Sequence, residues 1–148
     1  MNKEYMRKAL SLAELAEKNG DVPVGAVLVR NGEIIAEGYN KREKNGDPTA
    51  HAEVEAIKKG AETVGDWHLD ECELYVTLEP CPMCAGAIIN SRIKRVYFGA
   101  YEPKSGSCSQ ESVVNLFGLP FNHKPEVYGG ICEKECSEIL KKFFEEKR

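Results

Sequence analysis

Asn31 and Gly32 separate two apolar runs in the stretch VPVGAVLVRNGEIIAEGYN, and no other feature constrains the fold of this chain as tightly. Both residues tolerate the positive φ that a two-residue loop between antiparallel strands demands, so the stretch predicts a β-hairpin. Upstream, Tyr5, Met6, Ala9, Leu12, Ala13 and Ala16 recur near helical spacing and predict a helix over residues 3–18, stopped at Asn19-Gly20. Downstream, helix and strand signals alternate. A helix is expected over residues 50–59, with Thr49 as N-cap and Gly60 as its stop, then a strand in CELYVTLEP. Residues 82–90 predict a short helix with Pro82 near its start, where a missing N–H costs least, and IKRVYFGA predicts another strand. SVVNLFG predicts a short helix, PEVYGG an ambiguous strand, and residues 132–146 a last helix.

The resulting order, α-β-β-α-β-α-β-(α)-(β)-α, suits a sheet covered by helices on both faces, with parallel pairing where helices intervene. The 148 residues suffice for one core, and no repeat, low-complexity tract or linker divides them, so residues 1–148 are expected to form a single domain. No stretch approaches the roughly 18 uninterrupted apolar residues of a membrane span. Glu4, Glu14 and Glu17 interrupt any apolar segment that a secretion signal would need. A cytoplasmic protein with no membrane partner is therefore expected. The net charge of −4 and pI of about 5.5 offer a nucleic acid no general attraction, so RNA binding has to rest on local patches.

Six cysteines without a secretion signal point to a reduced compartment, and Cys81 and Cys84 form a Cys-x-x-Cys, which there implies metal or redox chemistry. With His51 they make a Cys₂His set, and three protein ligands leave the fourth tetrahedral position open, as in catalytic zinc sites. Both cysteines lie where a strand meets a helix N-terminus, so unpaired N–H groups and the positive end of the dipole favour thiolates. Bound zinc can bring the pKa of its water to roughly 7. Glu53, two residues past His51, is then placed to carry protons rather than to bind metal. A lone Cys-x-x-Cys fits redox chemistry as well as zinc, and a lone His-x-Glu says little; together they are far more specific. A structural zinc site would instead need a fourth ligand from Cys72, Cys108, Cys132, Cys136, His68 or His123.

HAE followed by EPCPMC resembles the signature of the zinc-dependent nucleoside and nucleobase deaminases. The likeness extends over nearly the whole chain. GDVPVGAVLV, DPTAHAEVEAI, LYVTLEPCPMCAGAIINSRIKRVYFGA, PKSG and the C-terminal FF are similar to the bacterial tRNA-specific adenosine deaminases. That resemblance implies an α/β protein with a three-layer α/β/α cytidine-deaminase-like fold and a mixed central sheet. It implies one Zn²⁺ per subunit in a homodimer, with the anticodon stem-loop of tRNA as partner. The implied reaction converts adenosine to inosine at the wobble position, A34, by zinc-hydroxide attack at C6. His51, Cys81 and Cys84 would hold the metal and Glu53 would shuttle the proton. The same resemblance implies a base contact by Asn40 and RNA contacts by Glu102, Lys104, Phe143 and Phe144.

Locally, Arg92, Lys94 and Arg95 and the tail KKFFEEKR offer cations and rings to phosphates and unpaired bases. Ile139, Leu140, Phe143 and Phe144 also make an ordinary core stripe, so one ring can be buried while the other is exposed. Three positions depart from the family pattern. Glu102 stands where members usually carry aspartate, Gln110-Glu111 replace a small Gly-Ser pair, and the tail EEKR is less basic, which implies weaker and more salt-sensitive RNA binding. Guanine, cytosine and cytidine deaminases share the zinc core, so a free base or nucleoside is the rival substrate. A non-catalytic, zinc-stabilised RNA-binding module is the rival from another class.

Overall fold

The structure is a computed structural model that describes residues 1–146; Lys147 and Arg148, half of the EEKR tail, lie outside the described residues. Helix α1 (Lys3–Lys18) is capped by Asn2, whose side chain accepts from the Glu4 N–H, and its buried face is Met6, Ala9, Leu12, Ala13 and Ala16. Asn31 (φ 52°) and Gly32 (φ 78°) then turn the chain between β1 (Gly25–Arg30) and β2 (Glu33–Tyr39), the expected hairpin. A helical turn, α2 (Arg42–Asn45), follows in a stretch for which no helix was expected. It is tied down by the buried carboxylate of Asp21, which accepts from the Glu43 N–H at 2.9 Å and the Val22 N–H at 3.1 Å.

Helix α3 (Ala52–Val64) departs from its expected bounds at both ends. Thr49 is not the cap, because its N–H and hydroxyl both donate to Asp47 Oδ1, at 2.8 and 2.7 Å; His51 holds the N-cap position instead. Gly60 is not the stop. It lies inside the helix against Leu28, where a Cβ would meet the leucine side chain, and the helix ends at Gly65 in the left-handed conformation (φ 81°). Sequence alone cannot distinguish a glycine that ends a helix from one that lets it lie close to a strand.

The remaining elements are β3 (Cys72–Leu78), α4 (Pro82–Asn90), β4 (Arg95–Ala100), a single 3₁₀ turn at Leu116–Gly118, β5 (Glu126–Tyr128) and α5 (Glu133–Glu146). The sheet runs β2-β1-β3-β4-β5, with β1 antiparallel to both neighbours and β3, β4 and β5 mutually parallel. This is a mixed sheet. Alternation along the strands sends Ala26, Leu28, Leu74 and Val76 to one face, under Ala52 and Ala56 of α3 and Ile88 of α4. Val27, Val29, Tyr75 and Tyr97 face the other way, against Met6, Ala9 and Leu12 of α1 and Cys136 of α5. The result is the expected three-layer α/β/α arrangement. Among the described residues no helix is long and apolar enough to cross a membrane.

Two glycines let the helices lie directly on the strands. A Cβ at Gly25 would collide with the Ala9 carbonyl, and one at Gly38 with backbone atoms of Ala52 and Ala56. Since Ala52 opens α3, the contact at Gly38 fixes the height at which that helix starts. Gly38→Ala is therefore expected to cost about 1–3 kcal/mol, measured by urea unfolding, and to weaken zinc retention by displacing the first turn of α3. Gly86→Ala, on α4 with nothing within 4 Å of the added carbon, is expected to raise stability by up to about 1 kcal/mol.

Candidate metal centre

Strands β2 and β3 end near one another, and the chain leaves each of them to begin a helix. His51 is the N-cap of α3 (φ −80°, ψ 152°) and Cys81 the N-cap of α4 (φ −76°, ψ 173°). An N-cap side chain usually accepts a hydrogen bond from the first turn. Here neither side chain does so, and both turn toward a common point. Asn40, at the end of β2, takes over the capping of α3: its Oδ1 accepts from the Ala52 N–H at 2.8 Å. That bond leaves the imidazole free for another task.

His51 Nδ1 lies 3.7 Å from Cys81 Sγ and 3.5 Å from Cys84 Sγ, and the three donor atoms all fall within 4.8 Å of one another. Tetrahedral zinc with Zn–S of about 2.3 Å and Zn–N of about 2.05 Å has an N···S edge of roughly 3.6 Å. The two measured edges bracket that value. No other group of histidine, cysteine and carboxylate donors of this kind occurs among the described residues, and no fourth protein ligand joins the three. The donor set thus fits zinc with one open coordination position, and the fourth ligand required by a structural site is not supplied.

Electrostatics support the same reading. Without metal, the hydrogen bond from the Cys84 thiol lowers Cys81 to about 4, against the opposing effect of burial and with further help from His51. The same contact, reinforced by burial and by Glu53, holds Cys84 far above the ordinary thiol range. One proton is therefore shared between two sulfurs, which is the position a divalent cation would take. His51 is raised, chiefly by its hydrogen bond to Cys81. Glu53, only 4% exposed, is raised to about 7 by burial, with the Cys81 charge adding to it and its own backbone N–H opposing it. It is not part of the donor group.

An open cavity of about 150 Å³ adjoins these groups, walled by Val22, Val24 and Leu78 and by the polar side chains of Asn40, Arg42, Glu53 and Glu79, with Ser105 at its edge. Of the residues expected to touch RNA, Asn40 alone lines it. With Oδ1 engaged at Ala52, its Nδ2 makes no hydrogen bond among the described residues and is the free end of the amide. Glu102 lies just outside, its carboxylate accepting from the Lys104 N–H at 2.9 Å, and Lys104 itself is exposed. Phe143 is buried (7% exposed) beside Val22 and Arg42, whereas Phe144 is half exposed (51%) in a neighbouring groove with Val22, Leu78, Tyr101 and Glu102. Gln110 and Glu111 are exposed.

Two polar residues of the cavity wall were missed from sequence. Arg42 sits on the unexpected α2 and pairs with Asp21 at 3.7 Å. Glu79 is the larger omission, although a carboxylate at the end of a buried strand, two residues before a metal-type cysteine, was a visible signal.

Comparison with known proteins agrees with this geometry. The family model of the cytidine and deoxycytidylate deaminase zinc-binding region matches residues 1–100. A tRNA-specific adenosine deaminase of Bacillus subtilis is 49% identical over 144 residues, which cover 97% of this chain and 89% of that protein. A solved structure from a study of A-to-I editing by tRNA:A34 deaminases superposes with a TM-score of 0.90 at 45% identity, over 94% of this chain and 100% of that one. A guanine deaminase of Bacillus subtilis superposes less completely, with a TM-score of 0.65 at 46% identity over 68% of this chain and 66% of its own.

The thiol assignment can be checked by alkylation of chelator-treated protein. Because Cys81 is lowered to about 4, its thiolate is already formed at about pH 5.5, and its rate of iodoacetamide labelling should stay nearly flat up to about pH 8. An ordinary thiol would instead gain about tenfold per pH unit over that range. Added zinc should protect Cys81, and Cys84→Ala should abolish stoichiometric zinc measured by elemental analysis.

Proposed function

The chain belongs, with the tRNA-specific adenosine deaminases, to the cytidine and deoxycytidylate deaminase zinc-binding family, and from that premise we propose that it hydrolyses adenosine to inosine at the wobble position, A34, of a tRNA anticodon. The single observation that carries the chemistry is a buried carboxylate, Glu53, beside an imidazole and two cysteines at zinc-ligand spacing, with Glu53, His51 and Cys81 opening on one small cavity.

His51 Nδ1, Cys81 Sγ and Cys84 Sγ would hold one zinc per subunit. When bound, zinc supplies Lewis acidity that makes a nucleophilic water available near neutral pH. The protein's own part is proton traffic and orientation. Glu53 takes one proton from the attacking water and passes it to the purine ring nitrogen N1, then takes the second from the new C6 hydroxyl and delivers it to the amino group, which leaves C6 as ammonia while the C6 carbonyl forms. Water is consumed and ammonia released, so no redox partner is needed. Burial, which raises Glu53 to about 7 in the metal-free chain, suits it to hold and release a proton near neutrality.

Asn40 Nδ2, the free end of an amide anchored at Ala52, donates to an acceptor on the purine edge. Val22, Val24 and Leu78 give the ring apolar walls that keep bulk water out. Around the cavity mouth, Phe144 offers a ring for a neighbouring unpaired base and Lys104 a cation for phosphate. Glu102 is the third residue assigned to the RNA path, whereas Phe143 supports it from the core. A homodimer in the cytoplasm completes the proposal, resting on the resemblance to the family.

The test is a substrate panel. Zinc-loaded protein is incubated with an anticodon stem-loop carrying adenosine at position 34, with inosine detected by sequencing, and in parallel with free guanine, cytosine, cytidine and adenosine, with ammonia as readout. Inosine confined to position 34 is expected. Ammonia from a free base with the RNA untouched would transfer the site to a nucleobase deaminase. Glu53→Gln should retain one zinc per chain and lose about 10²–10⁴-fold in rate; retained activity would remove Glu53 from the mechanism.

A further inference from the structure

Glu79 is 3% exposed, yet its carboxylate touches neither the donor group nor any cation among the described residues. Its partners all come from one loop. Oε1 accepts from the Glu102 N–H at 3.1 Å. Oε2 accepts from the Cys108 N–H and the Ser109 hydroxyl, each at 3.1 Å, and from the Ser112 hydroxyl. The segment between these donors is shaped around the carboxylate: a Cβ at Gly106 would run into Glu79 Oε1 and the Glu102 carbonyl. Two backbone bonds fasten the same pair of segments, Glu79 N–H to the Ala100 carbonyl at 2.8 Å and Ser107 N–H to the Pro80 carbonyl at 3.0 Å.

The chemistry is one-sided. A carboxylate only accepts, and here four donors converge on it, one at Oε1 and three at Oε2. An amide of the same shape would turn one of those oxygens into a donor facing donors, leaving buried N–H groups without partners. The anchored loop is also placed to matter, because it carries Ser105 to the edge of the catalytic cavity and Glu102 to the groove that holds Phe144. Only Pro80 separates Glu79 from the cysteine Cys81. One short stretch therefore holds both a metal-type ligand and the loop at the cavity edge.

We propose that Glu79 is a positioning residue for substrate recognition: its buried carboxylate gathers residues 102–112 beside the cavity, with Ser105 at the cavity edge and Glu102 in the adjoining groove, and so sets substrate binding rather than the chemical step. This rests on the deaminase reading given above. It also explains how Glu102 can replace a shorter acid without losing its place, since the loop is held through the Glu102 backbone N–H rather than its side chain.

The test uses two variants that disturb the anchor from opposite sides, Glu79→Gln and Gly106→Ala, assayed on the adenosine-34 stem-loop with zinc content and hydrogen exchange of the loop amides. Each is expected to raise KM by about tenfold or more, while kcat at saturating RNA and zinc per chain stay within about threefold. Faster exchange at Glu102 and Cys108 should accompany the change. Unchanged KM with a lowered Tm would show that the network serves stability alone and overturn the proposal. Loss of zinc with kcat would overturn it too, by showing that Glu79 acts on Cys81. If the wild-type protein leaves the stem-loop untouched, the tRNA reading fails on its own. The exchange rates, and KM for whichever free base releases ammonia, then decide the role of Glu79.

Discussion

One hydrogen bond, from the Ala52 N–H to Asn40 Oδ1, makes the rest of the site possible. Helix N-termini leave backbone donors unsatisfied, and the residue at the N-cap ordinarily spends its side chain on them. At α3 that service comes from a strand-end asparagine, so the N-cap His51 keeps its imidazole for a metal. Cys81 occupies the same position on α4, with Pro82 removing one donor from the first turn. Two helices start side by side with their cap side chains unspent, and the positive ends of both dipoles favour thiolate at the point where those side chains meet. The close contact of Gly38 with Ala52 and Ala56 holds this junction against the sheet.

The pocket divides into two halves with different mechanical character. The metal half is made of helix termini resting on β2 and β3, where backbone packing leaves little room for adjustment. The other half is walled by Val22, Val24, Asn40, Arg42 and Leu78, and its edge at Ser105 belongs to a loop after β4 held by a carboxylate that collects four donors. Glu53 belongs to the first half through its place in the opening turn of α3, and its burial, which raises it to about 7, suits it to the proton transfer proposed for it. Such a division lets a constant reaction centre face different substrates, because changes in the loop leave the helix starts undisturbed.

Much of this was legible in the sequence. Asn31-Gly32 specifies its turn through backbone conformation alone, and the near-continuous apolar runs of β1 and β3 suit strands covered on both faces. The ligand trio was legible because few residue types bind zinc and their spacing is restrictive. What escaped was set by tertiary contact. Gly60 looks like a stop yet permits α3 to approach Leu28, and Thr49 looks like a cap yet spends its hydroxyl on Asp47. Asn40 was singled out for touching a base, and its capping of α3 could not be inferred without knowing that β2 ends beside that helix. Glu79 was missed for the same reason, since its donors lie 23 to 33 residues away. The split between buried Phe143 and exposed Phe144 follows from helical periodicity, which sets neighbouring residues on different faces.

X-ray absorption at the zinc edge of the zinc-loaded protein tests the central claim most directly, because it counts the ligands that the two helix starts bring together. Two sulfurs at about 2.3 Å and two lighter atoms at about 2.0–2.1 Å are predicted, one being the His51 nitrogen and the other exchangeable from solvent. Three or four sulfurs, or zinc with no exchangeable ligand, would make the centre structural and contradict the account.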